Sequence, residues 1–296
     1  MPAPPSTDAD IPAYWRALGL PGLADIHVHF LPDRMLRKVW EFFERAESSY
    51  GMRWPIRYSG NEHQRLDTVR GFGLRGIPSL TYAHKPGMAQ WLNGWCAGFA
   101  ARVPDAVHSA TLYPEDGVAE YVAAALAAGA RVFKVHVQVG QFSPADPRLD
   151  AAWGVLQDAA TPVVMHAGSA PKQGRFTGTR HVRELLTRFP RLVLVIAHMG
   201  MNEYQAFADL VEQFPNVNLD TTMAGTDFAN AFAPMPTDYV RRLADLGDRV
   251  VLGADFPNIP YSYAEQLQAL DRLGLGDDWL RAVLWHNGAR LMGLTH

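Results

Sequence analysis

The chain has 296 residues, of which 48% are hydrophobic and 19% charged, so it can bury the core of one large domain. Its net charge of −3 and pI near 6.4 give no basic surface for nucleic acid or a polybasic membrane anchor. The single cysteine, Cys96, excludes an intrachain disulfide, and neither a signal peptide nor a membrane-spanning apolar run is apparent. We expect a cytoplasmic protein that binds a small-molecule substrate, with no nucleic acid or membrane partner.

Residues 1–22 are predicted to form a Pro-rich N-terminal arm that leads into a short amphipathic helix. From residue 23 onward, short apolar runs rich in β-branched residues alternate with longer helical stretches. The predicted strands are 23–28, 76–82, 106–112, 131–137, 162–166, 192–197, 216–220 and 249–254. The predicted helices are 87–102, 118–128, 148–160, 180–188, 203–213, 236–246, 263–273 and a C-terminal helix around 277–293.

This alternation predicts parallel β-α units, and eight strands favour a closed barrel over an open sheet. The expected fold class is therefore α/β, a (β/α)8 TIM barrel with a C-terminal helix, forming a single domain over residues 1–296. Residues 31–72 are too long for one helical connection, so we predict an insertion over the barrel mouth after strand 1. Residues 167–179 form a Gly-rich basic loop after strand 5, at the active-site end of such a barrel.

The segment Asp25-Ile26-His27-Val28-His29 carries the strongest local signal. Alternate side chains of a strand point the same way, so Asp25, His27 and His29 share one face. Inside a barrel, three ionisable groups are costly unless a partner compensates them. A divalent cation does so, because two neutral imidazoles at i and i+2 can converge on one ion.

Three further strands are apolar until their carboxyl ends, where a metal-competent residue appears. His166 ends PVVMH, His198 ends LVLVIAH, and Asp255 follows VVLGA. Because barrel active sites lie at the carboxyl ends of the strands, these side chains are predicted to meet in one cavity. The alternative is a set of unrelated buried polar residues at strand ends.

At this point the sequence resembles the amidohydrolase superfamily, in the branch that includes aminocarboxymuconate-semialdehyde decarboxylase. The resembling segments are DIHVHFLP (25–32), VVMHAG (163–168), VLVIAHMG (193–200), VLGADFP (251–257) and NGARLMGL (287–294). The resemblance implies one divalent metal ion held by His27, His29, His166 and Asp255, with His198 as a catalytic histidine. Zinc is the metal usually implied, although such ligands also accept iron, manganese or cobalt. A homodimer is compatible with the resemblance.

The decarboxylases of this branch typically have Pro-Trp after the strand-5 histidine, whereas this chain has Ala167-Gly168, as its hydrolases do. The expected function is hydrolysis of a C–O or C–N bond in a small organic acid, lactone or amide through a metal-activated water. Asp255 would accept the proton of the water, and His198 would polarise the substrate carbonyl. The alternatives are a non-oxidative decarboxylase on the same site and a catalytically silent ligand-binding barrel.

For several other residues the sequence gives less specific predictions of their roles. Lys134 and His136 share the inward face of strand 4; Lys134 is expected to pair with a carboxylate rather than to be carbamylated, and His136 to contact substrate. Thr221 and Thr222 follow strand 7 and are candidates for hydrogen bonds to substrate. The candidates for binding an anionic group of the substrate are Arg53, Arg57, Lys172 and Arg175.

Overall fold

The computed structural model describes residues 2–295. The strands are β1 Ile77–Pro78, β2 Ala106–Val107, β3 Ser109–Thr111, β4 Val132–His136, β5 Val163–His166, β6 Leu194–Ile196, β7 Val217–Asp220 and β8 Val250–Val251. β1 pairs with β2, and β3 to β8 form one parallel sheet in chain order. β2 and β3 lie in one extended run over 106–111, so this run belongs to both sheets and joins them.

Residues 23–29 complete the ring of strands, although they make only isolated bridges rather than a regular strand. On one side the Leu80 amide donates to the Val28 carbonyl at 3.0 Å. On the other side the Asp255 amide donates to the His27 carbonyl at 2.8 Å. Backbone hydrogen bonds therefore close the eight strand positions, and the predicted TIM-barrel architecture is confirmed.

The helices are α1 Ile11–Ala17, α2 Asp33–Glu44, α3 Ala46–Tyr50, α4 Glu62–Phe72, α5 Met88–Arg102, α6 Val118–Ala127, α7 Val137–Gly140, α8 Asp150–Asp158, α9 Thr179–Arg188, α10 Tyr204–Gln213, α11 Asp227–Asn230, α12 Tyr239–Asp245, α13 Tyr263–Asp271, α14 Asp277–Arg281 and α15 Asn287–Met292, the last two joined by the π-helix Ala282–His286. Most helices cover the outside of the strands, whereas α2, α3 and α7 contribute residues to a cavity at the carboxyl ends of the strands. Apolar strand residues such as Val135 and Val195 are fully buried beneath these helices. None of the helices in residues 2–295 is long and apolar enough to cross a membrane.

The segment 31–72 contains α2, α3 and α4. Met35 and Phe42 of α2 and Tyr50 of α3 line the cavity that opens at the carboxyl ends of the strands. Trp54, which follows α3, donates an indole hydrogen bond to the carbonyl of Asn258 at 2.8 Å. The first half of this segment therefore lies beside the cavity. Its description as an insertion, and the division of the chain into one domain with an N-terminal arm, remain predictions.

Candidate metal centre

His27, His29 and Asp255 come together at the open end of the barrel. One ligand atom from each lies within 4.8 Å of the others, so the three could hold one metal ion. His29 Nε2 is 2.9 Å and His27 Nε2 3.9 Å from Asp255 Oδ1. Neutral imidazoles and a carboxylate form a donor set that suits a divalent cation. These three predicted ligands are therefore adjacent in space.

Hydrogen bonds turn the Nε2 atoms of the two histidines toward this point. His29 Nδ1 lies 2.8 Å from the carbonyl of Leu80, which only accepts, so this nitrogen carries the proton. His27 Nδ1 lies 2.9 Å from Asp220 Oδ2. Burial and the nearby Lys134 lower the pKa of His27 to about 4, which leaves the ring neutral at pH 7. With Nδ1 engaged by these partners, each ring directs Nε2, the atom that would bind a metal, toward this point.

Asp220, at the end of β7, is a site residue that the sequence analysis missed. Its Oδ1 accepts from the backbone amide of His198 at 2.8 Å, while its Oδ2 contacts His27. Burial raises the pKa of Asp220, but the charge and hydrogen bond of His27, with the nearby His198 and Lys134, outweigh burial and lower it to about 2. The signal was present, because VNLD is another apolar run with a carboxylate at its end.

The two threonines after β7 are structural, so their predicted contact with substrate is wrong. Thr222 Oγ1 lies 3.0 Å from His27 Nδ1, and Thr221 donates to the carbonyl of Gly253 at 3.1 Å. Both side chains are fully buried. Packing here is tight: a Cβ at Gly253 would lie 2.6 Å from Thr222 Oγ1 and 2.9 Å from Asp220 Cγ. Glycine is required at this position because any side chain would displace the partners of His27.

His166, the fourth predicted ligand, lines the same cavity but lies outside the group of three. It is paired in register with His136 of β4, and the two rings stack with centroids 4.0 Å apart. His166 Nε2 is buried and has no hydrogen-bond partner within residues 2–295. A buried ring nitrogen without a partner needs an explanation, and a metal ion or a bound substrate would supply one.

His198 also faces the cavity. Its ring centroid is 4.8 Å from that of His166 and 5.4 Å from that of His27. Burial lowers the pKa of His198, while Asp255 and Asp220 oppose the effect. Both His198 (φ 57°) and Asp255 (φ 62°) adopt the left-handed backbone region, which ordinary residues seldom occupy. Such conformations are concentrated at functional sites, where the surrounding structure holds them.

Lys134 and His136 point inward as the alternation in β4 predicted. Lys134 Nζ lies 2.9 Å from His27 Nε2, and no carboxylate within ion-pair distance is found for it in the described chain. The expected carboxylate pairing of Lys134 is therefore wrong. Burial lowers the pKa of Lys134 to about 8, although Asp220 and Asp255 favour its charged form. A cation bound to His27 Nε2 would take the place of this contact.

Asp25 lies behind the centre rather than in it. Its Oδ1 accepts from the His27 amide at 2.9 Å and its Oδ2 accepts from the Tyr263 hydroxyl at 2.8 Å. Asp25 is completely buried, and desolvation raises its pKa to about 8. The carboxyl group therefore fixes the backbone at His27 and does not line the cavity.

The cavity above these residues has a volume of about 410 Å3. This size lies in the range of roughly 300–1,000 Å3 that is usual for small-molecule sites. His84, which follows β1, lines it as well. The four basic residues proposed to bind an anionic group, Arg53, Arg57, Lys172 and Arg175, are not among its lining residues. The cavity lining therefore gives no support to these four candidates.

Comparisons with known proteins place this geometry in a family. The family model described as "Amidohydrolase" matches residues 24–294. No curated protein sequence matches the chain. Among solved structures, an uncharacterised TIM-barrel protein from Bordetella bronchiseptica is similar with a TM-score of 0.72 and 18% identity, covering 90% of this chain and 98% of the other.

Two enzymes of different reaction type are also similar in fold. A protein of Pseudomonas putida assigned as a 2-pyrone-4,6-dicarboxylic acid hydrolase has a TM-score of 0.62 and 16% identity, covering 93% of this chain and 99% of the other. A 5-carboxyvanillate decarboxylase from Novosphingobium aromaticivorans, complexed with manganese, has a TM-score of 0.60 and 14% identity, covering 94% and 97%. At such identities the likeness concerns the fold, whereas the family model covers nearly the whole chain. This chain is a member of the amidohydrolase family.

Proposed function

We propose that this protein is a metal-dependent hydrolase that cleaves a C–O or C–N bond of a small lactone, amide or organic acid. The observation that carries the proposal is the carboxylate of Asp255 beside the imidazoles of His27 and His29. Burial alone raises the pKa of Asp255, but the hydrogen bond and charge of His29, with the nearby His27, hold it well below its usual range. Asp255 is thus ionised at neutral pH, and its carboxylate can bind a metal ion or accept a proton from water beside the two imidazoles.

The residues present fit a divalent ion. His27, His29 and Asp255 would hold it, and the partnerless Nε2 of His166 supports this histidine as a further ligand. We propose zinc, since imidazole and carboxylate donors suit it, although manganese is bound by the similar decarboxylase. When bound, such an ion lowers the pKa of a water from about 15.7 toward 7.

Side chains of this protein would carry out the remaining steps of the reaction. Asp255 would accept a proton from the attacking water and deliver it to the leaving group. His198, neutral because burial lowers its pKa, would donate a hydrogen bond to the carbonyl oxygen as negative charge develops there. The part of the cavity that would face the substrate carbonyl also includes the polar side chains of Lys134, His136 and His166.

Decarboxylation is the second candidate, because the similar decarboxylase shares this fold. In that reaction the His198 and Asp255 pair would supply a proton to the carbon that loses carbon dioxide. The local backbone favours hydrolysis: a Cβ at Gly168 would overlap the Met201 carbonyl oxygen. The tryptophan typical of the decarboxylases therefore cannot follow Ala167 without a change in this loop.

A single assay separates the two reactions. The metal-loaded protein is incubated with a panel of lactones, amides and carboxylated rings, and both carbon dioxide release and product mass are recorded. Hydrolysis adds one water to the product and releases no carbon dioxide. Release of carbon dioxide without the addition of water would overturn the hydrolase assignment. We further propose a cytoplasmic location, and a homodimer remains compatible with the family.

A further inference from the structure

The cavity has two chemically different parts. Its floor carries the imidazoles, Asp255 and Lys134 described above. Its opposite wall is apolar and largely aromatic, formed by α2, α3 and the residues that follow. On this wall the rings of Phe43 and Trp54 lie 4.9 Å apart, and those of Phe42 and Tyr50 lie 5.7 Å apart. We call these four residues the aromatic wall.

The four rings of the aromatic wall offer no cationic partner for an anion, and the cation of α2 that lines the cavity is Lys38. No arginine of residues 2–295 lines the cavity, and its two lysines both already contact another side chain. Lys38 is 72% exposed and pairs with Glu41 at 2.6 Å, while the ammonium of Lys134 faces His27 on the floor. A carboxylate placed against the aromatic wall would lose its hydration without gaining a charged hydrogen-bond donor, which is unfavourable.

Phe42 adds an independent observation. Its side chain is 48% exposed, although it is large, apolar and at the edge of the cavity. Its ring therefore offers apolar surface at the entrance of the cavity that a ligand could cover.

We propose that the substrate joins its hydrolysable carbonyl to an uncharged aromatic or aliphatic body that lies against the aromatic wall. A substrate with a carboxylate on that body is discriminated against. The inference rests on the proposed function only for the position of the carbonyl on the floor. It differs from the hypothesis that Arg53, Arg57, Lys172 or Arg175 binds an anionic group of the substrate.

The test compares two probes that share a ketone head and differ only at the far end of the ring system, 2-acetylnaphthalene and 6-acetyl-2-naphthoate. Binding of each to the full-length protein is measured by calorimetry, without turnover. The neutral ketone is expected to bind about tenfold or more tightly than the acid. Equal or tighter binding of the acid, or no binding of the neutral ketone up to its solubility limit, overturns the inference.

Variants of α2 test whether the aromatic wall causes the preference for the neutral ketone over the acid. Val39 lines the cavity and is partly buried, so Val39→Arg adds a cation to the wall and is expected to reverse the preference in favour of the acid. Val39→Met, similar in length but uncharged, is the matched control and keeps the preference for the ketone. Phe42→Ala, at an exposed position, is expected to weaken binding of the ketone by about threefold to tenfold.

Unchanged binding of both probes to Val39→Arg and Phe42→Ala overturns the placement of the substrate body on the wall. None of these binding measurements needs a chemical step, so their outcome does not depend on the result of the hydrolase assay. A protein that prefers the ketone but releases carbon dioxide from another substrate would overturn only the proposed reaction.

Discussion

His27 Nδ1 lies 2.9 Å from Asp220 Oδ2, and this contact sets which nitrogen of His27 carries the proton. Because the ionised carboxylate accepts, Nδ1 is protonated and Nε2 keeps its lone pair. The same carboxylate accepts from the His198 amide at 2.8 Å. Asp220 therefore couples a predicted metal ligand to a predicted catalytic residue, although it touches neither metal nor substrate in the proposed mechanism.

Asp220→Asn should lower metal affinity by about tenfold to a hundredfold, the usual effect of removing a partner behind a metal ligand. The asparagine amide that faces His27 can donate, so Nδ1 becomes the acceptor and the proton moves to Nε2. Titration with zinc and manganese against a chelator of known affinity measures the change. Asp227→Asn, at a side chain 86% exposed, is the matched control. Unchanged affinity in Asp220→Asn would show that Asp220 does not set the tautomer.

Asp255→Asn should lower kcat by about a hundredfold to ten-thousandfold, since the general base is lost. The fold should be spared, because asparagine tolerates the left-handed φ of 62° found at this position. Circular dichroism and thermal unfolding check the fold, and steady-state kinetics check the rate. A folded variant with near-wild-type turnover would refute the role of Asp255 in proton transfer.

Much of this site could be predicted because it follows from the strands. Alternation in Asp25-Ile26-His27-Val28-His29 and the polar ends of apolar runs were sufficient to bring His27, His29 and Asp255 to one cavity. The assignment of His166 as a ligand and His198 as catalytic stays a prediction. The barrel itself was predictable for the same reason, since strands and helices alternate with clear periods.

The cavity wall could not be predicted in the same way. It depends on how α2 and α3 fold back over the strands, and such loop segments have no fixed period that relates sequence to direction. Arg53 and Arg57 were named as candidates for binding an anionic group because of their charge, whereas apolar residues near them, such as Tyr50 and Trp54, line the cavity. Residues 23–29 also make only isolated bridges, which no pattern in their sequence indicated.

Stability of the metal-free protein should fall as the pH drops below about 6.5, and His166 should contribute to this fall. Burial, with His198 and Lys134 nearby, holds the pKa of His166 well below its usual value. The unfolded chain binds a proton near pH 6.5 that the folded chain does not bind, so stability is present above that pH and is lost as the pH falls.

Urea unfolding of chelator-treated protein at pH 7.5, 6.5 and 5.5 tests the contribution of His166. Relative to His166→Asn, the wild type should lose about 1.4 kcal/mol more stability per pH unit well below pH 6.5. Parallel curves for the two proteins would mean that His166 is protonated in the folded state. Buried His108, whose pKa burial also lowers, provides a comparison outside the metal centre; His108→Gln should change the slope less.

Tyr58→Phe should destabilise the protein by about 1–3 kcal/mol, because a partly buried hydrogen-bond network loses its central hydroxyl. The Tyr58 hydroxyl donates to Asp8 Oδ2 at 2.7 Å and accepts from the Tyr263 amide at 2.7 Å. Asp8 Oδ1 in turn accepts from the Ala264 amide at 3.0 Å. Together these bonds attach the N-terminal residues and the loop after α3 to the start of α13, where backbone amides lack helical partners. Tyr113→Phe is the control, since no hydrogen bond of its hydroxyl is found in residues 2–295. Equal unfolding free energies for the two variants would mean that the N-terminal attachment adds nothing to stability.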